Sequence, residues 1–229
     1  MLTFPAALQF GLLSAVWANA TSTVALVPGS LAGAWGYRRE LGEAGWWVRV
    51  LLVPSLLGGV LGSWLMVYFP DYFGRAVPWL LLTASLLFLF QPAIARRFPP
   101  HPEPGRRRWW SLPLVLAFQL VVAVYGGYFG AGIGILMISS LSLMGVGDIH
   151  RINAVKTLLA AAINGVSVVM FVAYRVIDWR LAVPMAIGAI IGGYAGAAVA
   201  RVLPRWVVRW FVIAVGLSLA AYYFWKQSA

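Results

Sequence analysis

Two short stretches carry the polar groups that could handle a small solute. They are Asn19, Ser22 and Thr23 in "WANATSTVALV", and Asn153, Lys156, Thr157 and Asn164 in "RINAVKTLLAAAINGV". Asparagine favours helix N-caps and offers a neutral amide donor, so Asn19 and Asn153 are read as two capped helix starts. Facing each other, their positive dipole ends would converge on one point suited to an anion; the plainer reading is two caps at a water boundary. Lys156 has no acid in its apolar run to neutralise it. Counted from Arg151 at the boundary, five residues at the α-helical rise put it roughly 7.5 Å deep. That depth lets the ammonium snorkel back to water, and it also suits a counter-charge for a bound anion, which its place just after Asn153 favours.

The third candidate is "GGYFGAGIG", with Gly126, Gly127, Gly130, Gly132 and Gly134. Each glycine inside a helix costs up to about 1 kcal/mol relative to alanine. This density predicts a helix break whose freed N–H groups form an anion-binding nest at Gly130 and Gly132. Close packing through Gly126-x-x-x-Gly130 is the alternative. Gly58-Gly59-x-x-Gly62 and Gly192-Gly193-x-x-Gly196 lack that density and are read as packing faces.

The elements that must position these groups follow from composition. Of 229 residues, 62% are apolar and 10% charged, in successive apolar runs of membrane-spanning length. Because a spanning segment must satisfy its backbone internally, this predicts an all-α polytopic membrane protein. The expected spans are 16–37, 46–69, 73–95, 112–131, 153–174, 181–202 and 206–225, with shorter pieces at 2–13 and 134–146. The net charge of +11 would suggest nucleic acid in a soluble chain. Here Arg38, Arg39, Arg49, Arg96, Arg97, Arg106, Arg107, Arg108, Arg201, Arg205 and Arg209 flank apolar runs, the pattern of membrane anchoring, and no nucleic-acid partner is expected. No basic n-region precedes the first apolar piece, so no cleaved signal peptide is expected.

The chain matches itself at a constant offset of 134. Asn19, Ala20 and Thr23 fall on Asn153, Ala154 and Thr157; Gly58, Gly59 and Gly62 on Gly192, Gly193 and Gly196; Pro70 on Pro204 and Arg75 on Arg209. Lys156 falls on Ser22, so the charge is asymmetric. The prediction is two homologous helical repeats, 1–95 and 112–229, joined by a basic, proline-rich connector at 96–111. Duplicated halves are usual in secondary transporters, with the site where they meet. In this register residues 113–134 have no partner, so the first half is expected to lack its opening segment, through a misplaced start or a truncation. If residues 113–146 cross twice as short halves, the repeats are inverted; if once, they are parallel. The charge bias favours inverted.

Together "GGYFGAGIGILMISSLSLMG", "RINAVKTLLAAAINGVSVVMF", "VIDW" and "IGAIIGGYAGA", with the Asn-Ala-Thr segment of the first half, resemble the TauE/SafE family of sulfite and organosulfonate permeases over nearly the whole chain. The chain departs from that family at its N-terminus, where members carry a helix ending in a glycine cluster. The resemblance implies a multi-pass permease of the cell (inner or plasma) membrane. It would bind a small sulfur oxyanion with Asn19, Thr23, Gly130, Gly132, Asn153, Lys156 and Thr157, and work by alternating access at the repeat interface. Neither catalysis nor a cofactor is expected. The expected partners are the anionic substrate and the lipid bilayer, with homo-oligomerisation left open.

Rival classes fare less well. The absence of cysteine removes thiolate nucleophiles and cysteine metal sites. Glu40, Glu43, Asp71, Glu103, Asp148 and Asp178 all fall in predicted loops, which disfavours a carboxylate proton relay. His101 and His150 also fall in loops and the methionines are dispersed, against an intramembrane protease or a metal transporter. An anion channel stays open, as does a non-transporting membrane subunit; a carrier saturates and a channel does not.

Charge bias places the connector in the cytoplasm. In this cysteine-free chain, Ser111→Cys is expected to resist an impermeant thiol reagent added to intact cells and to react after permeabilisation. Labelling from outside would invert the topology.

Overall fold

A computed structural model describes residues 15–97, 112–144, 146–202 and 205–228 of the chain. The described residues are almost wholly helical: α1 Ala15–Gly36, α2 Arg38–Glu43, α3 Gly45–Tyr68, α4 Pro70–Arg97, α5 Leu112–Tyr128, α6 Ile133–Leu143, α7 Ile149–Ala173, α8 Trp179–Val202 and α9 Arg205–Ser228. The expected piece at 2–13 lies outside the described residues, as does most of the connector, whose first residues Arg96 and Arg97 close α4.

Three described helices are both long and apolar enough to cross a membrane: α3, α7 and residues 70–90 of α4. α1 has the expected length but not that apolarity, because it carries Asn19, Thr21, Ser22 and Thr23. Asn19, Thr21 and Ser22 are buried against other helices. A helix shielded from lipid by its neighbours can keep polar side chains that a lipid-facing one could not.

Contacts fix the helix directions. Arg151 at the start of α7 pairs with Glu43 just before α3 (Nε to Oε2, 2.9 Å), and Ser167 donates to the Gly59 carbonyl (3.5 Å), so α3 and α7 run parallel. Gln119 of α5 donates to Ser55 of α3 (2.8 Å), and Gly62 lies against Val124 and Gly127, so α5 runs the same way. α6 then doubles back, because its end at Leu143 is joined to α7 by a short link at the face where α7 begins.

α1 runs opposite to α7. Gly33 faces Thr157 near one end, while Val16, Ala18 and Ala20 share a cluster with Phe171 at the other, where the Asp178 N–H donates to Thr21 Oγ1 (3.1 Å). α4 and α9 are also antiparallel, with Ser85 against Gly216 and Trp79 edge-on to Phe224.

The closest helix contact is between α3 and α5, and glycine makes it possible. A Cβ on Gly58 would lie 2.5 Å from Ala123 Cβ and 2.8 Å from the Leu120 carbonyl oxygen. One on Gly62 would overlap the Val124 carbonyl, and one on Gly127 would come within 2.5 Å of the Gly59 carbonyl oxygen. With little hydrophobic drive between helices in lipid, this backbone approach supplies the van der Waals attraction. The predicted packing role therefore holds for Gly58, Gly59 and Gly62. At Gly192 it does not: nothing among the described residues lies within 4 Å of where a Cβ would stand there. Among the described elements its helix α8 meets mainly α1.

Gly62→Ala should destabilise the detergent-solubilised protein by about 1–3 kcal/mol through overpacking. Gly192→Ala, in open space, should be neutral or stabilising by up to about 1 kcal/mol. Thermal unfolding of the two variants checks the contrast, and equal effects would contradict the α3–α5 contact.

Candidate functional site

The glycine run does break the helix. α5 stops at Tyr128, and Gly130 and Gly132 both have φ of 81°, a left-handed conformation in which glycine alone is unstrained. The N–H groups of Phe129 and Gly130 both donate to the Tyr125 carbonyl (2.9 and 3.2 Å), closing the end of α5 in the manner of a helix C-cap. Tyr125 folds its hydroxyl back onto the Ala131 carbonyl (2.6 Å), and Gly132 is the N-cap of α6. Gly130 is therefore a backbone hinge whose own N–H is already engaged. The amides of Ala131, Gly132, Ile133 and Gly134 have no backbone acceptor among the described residues, as expected for the first turn of a helix. Gly132 itself packs against Ala84 of α4.

Beside this break lies a cavity of about 220 Å³. α1 brings Asn19, Ser22 and Thr23 to it, α7 brings Asn164, and the break brings Phe129, Gly130 and Ala131. The far wall is apolar and comes from α4 and α9, chiefly Leu81, Phe88, Phe211, Val215 and Leu219. Of the described side chains that line it, none carries a formal charge. Ser22 and Thr23 both donate to the Asn19 carbonyl (3.1 and 2.8 Å), so their hydroxyl hydrogens are already engaged. Asn19 Nδ2 donates to the Met66 sulfur (3.0 Å), a weak acceptor. The Asn164 amide has no hydrogen-bond partner among the described residues.

The seven candidates thus separate. Asn19, Thr23 and Gly130 meet at the cavity. Thr157 lies in the α1–α7 contact, its methyl 3.3 Å from where a Gly33 Cβ would stand. Asn153 and Lys156 bond to each other, Lys156 Nζ donating to Asn153 Oδ1 (2.9 Å). The stem of Lys156 lies along the first turn of α6, its Cδ 3.6 Å from a Cβ placed on Gly134.

The pairing of two capping asparagines is corrected. Asp148 caps α7 by accepting the Arg151 N–H (2.9 Å), and Asn153 lies one turn inside; Asn19 is inside α1. Nor do the two converge. Asn19 is fourteen residues, about 21 Å of helix, before Gly33, whereas Asn153 is one turn before Thr157 and the helices are antiparallel. Each asparagine sits near the start of its own helix, and antiparallel helices have their starts at opposite ends. The apolar wall was invisible in the sequence, since Phe88, Phe211 and Val215 belong to no motif and resemble any lipid-facing residue.

The family model described as Sulfite exporter TauE/SafE matches residues 1–223. The chain belongs to the TauE/SafE sulfite exporter family. This is a family of membrane transporters, so this TauE/SafE member is a membrane protein of that class. No curated protein and no solved structure matches it. Among the described residues of this TauE/SafE chain, no group of three or more His, Cys, Asp or Glu side chains could hold a metal ion.

Asp148 orients the start of α7, and the Arg151 N–H bond holds its carboxyl below the usual carboxylate range. A depressed folded-state value stabilises the fold above the unfolded value, near pH 4, and the benefit is lost as pH falls through the folded one. Asp148→Ala should cost about 0.5–1 kcal/mol at neutral pH. The gap in Tm between wild type and variant should narrow below about pH 4, and a gap that does not change with pH would rule out the carboxylate cap.

Proposed function

We propose that this protein is a permease for small sulfur oxyanions such as sulfite or an organosulfonate, working by alternating access between two inverted helical repeats. The observation that carries the reading is the cavity at the glycine break, where Asn19, Thr23 and Asn164 meet the hinge at Gly130. In lipid, irregular backbone is tolerated only where it is buried or lines a cavity. Transporter sites are built from such broken helices, whose free N-termini face anionic groups.

The helix boundaries support the duplication. α8 begins 134 residues after α3. The repeat-related helices α1 and α7 are antiparallel, with equivalent positions level near Pro28 and Ala162, and α4 and α9 are antiparallel as well. The cavity lies between these two pairs, where alternating access needs it. The face at which α3, α5 and α7 begin carries Arg38, Arg39, Arg49 and Arg151, which assigns it to the cytoplasm.

In this reading the amide N–H groups of Asn19 and Asn164 contact the oxyanion, Thr23 anchors its hydroxyl on the Asn19 carbonyl, and Gly130 shapes the bend. Gly132 opens α6, so that its first-turn amides and the nearby ammonium of Lys156 make the region positive. Asn153 holds that ammonium in place, and Thr157 seats α1 on α7. A cation laid along a helix N-terminus is unfavourable by itself, which supports an anion as the third participant.

Reconstituted protein should take up labelled sulfite with saturation. Asn164→Leu, which removes one neutral donor, should raise the half-saturating concentration about two- to tenfold. Lys156→Met keeps the length and removes the charge, and should raise it about ten- to a hundredfold. Unchanged uptake by Lys156→Met would leave snorkelling as the role of that lysine. Flux that rises linearly with concentration would indicate a channel, and no anion flux at all would overturn the assignment.

A further inference from the structure

The two sides of the cavity differ in chemistry. On the α1–α7 side stand amide and hydroxyl groups of Asn19, Ser22, Thr23 and Asn164. On the α4–α9 side the one polar group is Ser85, whose hydroxyl donates to the Leu81 carbonyl of its own helix (2.7 Å). Phe88, Phe211, Val212, Val215 and Leu219 make up the rest of that wall with Leu81 and Ala84.

Size sharpens the contrast. A volume of about 220 Å³ exceeds the roughly 150 Å³ at which an apolar cavity takes up benzene, so a bare sulfite ion leaves part of it unfilled. All the oxygens of that ion seek donors that only one side offers, and the space against the other wall would hold water on hydrocarbon and aromatic surface, which is unfavourable.

We infer that the cavity is built for an amphiphilic oxyanion, its charged head against α1 and α7 and a hydrocarbon group of roughly four to six carbons against Phe88, Phe211, Val215 and Leu219, and that it prefers this to bare sulfite. The inference rests on the anion reading of the same cavity and adds the residues that select the tail. The α1–α7 donors read the head group common to all substrates of the class, and the α4–α9 wall discriminates among them by length. Val215 and Leu219 lie one turn apart on the cavity side of α9, so they meet successive carbons of an extended tail.

The test is binding of a homologous series, methanesulfonate to octanesulfonate, with sulfite and 1-hexanol as comparisons, to the full chain in lipid nanodiscs, after subtraction of partitioning into empty nanodiscs. Affinity should rise about three- to fourfold per methylene and level off near five carbons. Val215→Phe, which narrows the apolar end, should move that plateau two or three carbons shorter. Leu219→Ala should move it longer. A merely structural role for these residues would weaken every ligand together and leave the plateau in place. Sulfite and methanesulfonate binding as tightly as hexanesulfonate, or a plateau unmoved in both variants, overturns the inference and leaves the anion site standing. Hexanol binding as well as hexanesulfonate overturns the anion reading itself.

Discussion

Ending a helix inside a membrane is the constraint on which the structure depends. Each backbone polar group left unpaired in hydrocarbon costs several kcal/mol, yet α5 stops at Tyr128 and the chain turns back through Gly130 and Gly132. Three contacts make this tolerable. The Tyr125 carbonyl accepts from both Phe129 and Gly130, the Tyr125 hydroxyl reaches the Ala131 carbonyl, and Gly132 gives α6 a start that no residue with a Cβ could adopt without strain. The amides without a backbone acceptor among the described residues are those of the first turn of α6.

The glycine seam between α3 and α5 serves that break. By bringing the two backbones together at Gly58, Gly59, Gly62 and Gly127, it holds α5 firmly just before its end. Gly59 also receives Ser167 of α7, so the seam joins the break to the helix that carries Asn164. At the face where α3 and α7 begin, the Arg151–Glu43 ion pair (28% and 58% exposed) ties α7 to the segment entering α3. That pair is too exposed to contribute much stability. Its value lies in register, since it sets the level at which α7 enters and hence where Asn153 and Lys156 stand.

The cavity takes its shape from two antiparallel pairs that are unlike in chemistry. α1 and α7 bring polar groups that would be costly facing lipid and are shielded by their neighbours. α4 and α9 bring apolar side chains that are acceptable in lipid or in a cavity alike. A cavity with one polar wall and one apolar wall results from placing one pair against the other, with no charged side chain among the described residues that line it. Lys156 is not among the lining residues; its stem lies along the first turn of α6 and its ammonium donates to Asn153.

Composition alone determined that this is a helical membrane chain, because long uninterrupted apolar runs have few other stable outcomes. The glycine density at 126–134 alone predicted the break, since positive φ and dense glycine go together, and the Asn-Ala-x-x-Thr motifs marked the helices that line or flank the site. What the sequence could not show is which members of those motifs meet. Motif identity says that Asn19 and Asn153 occupy equivalent positions. Only the antiparallel packing of α1 and α7 decided that such positions lie at opposite ends, leaving Asn19 at the cavity with Asn164 and setting Asn153 beside Lys156. The apolar wall was likewise decided by tertiary structure, because a phenylalanine facing a cavity and one facing lipid are the same letter, and only the pairing of α4 with α9 tells them apart.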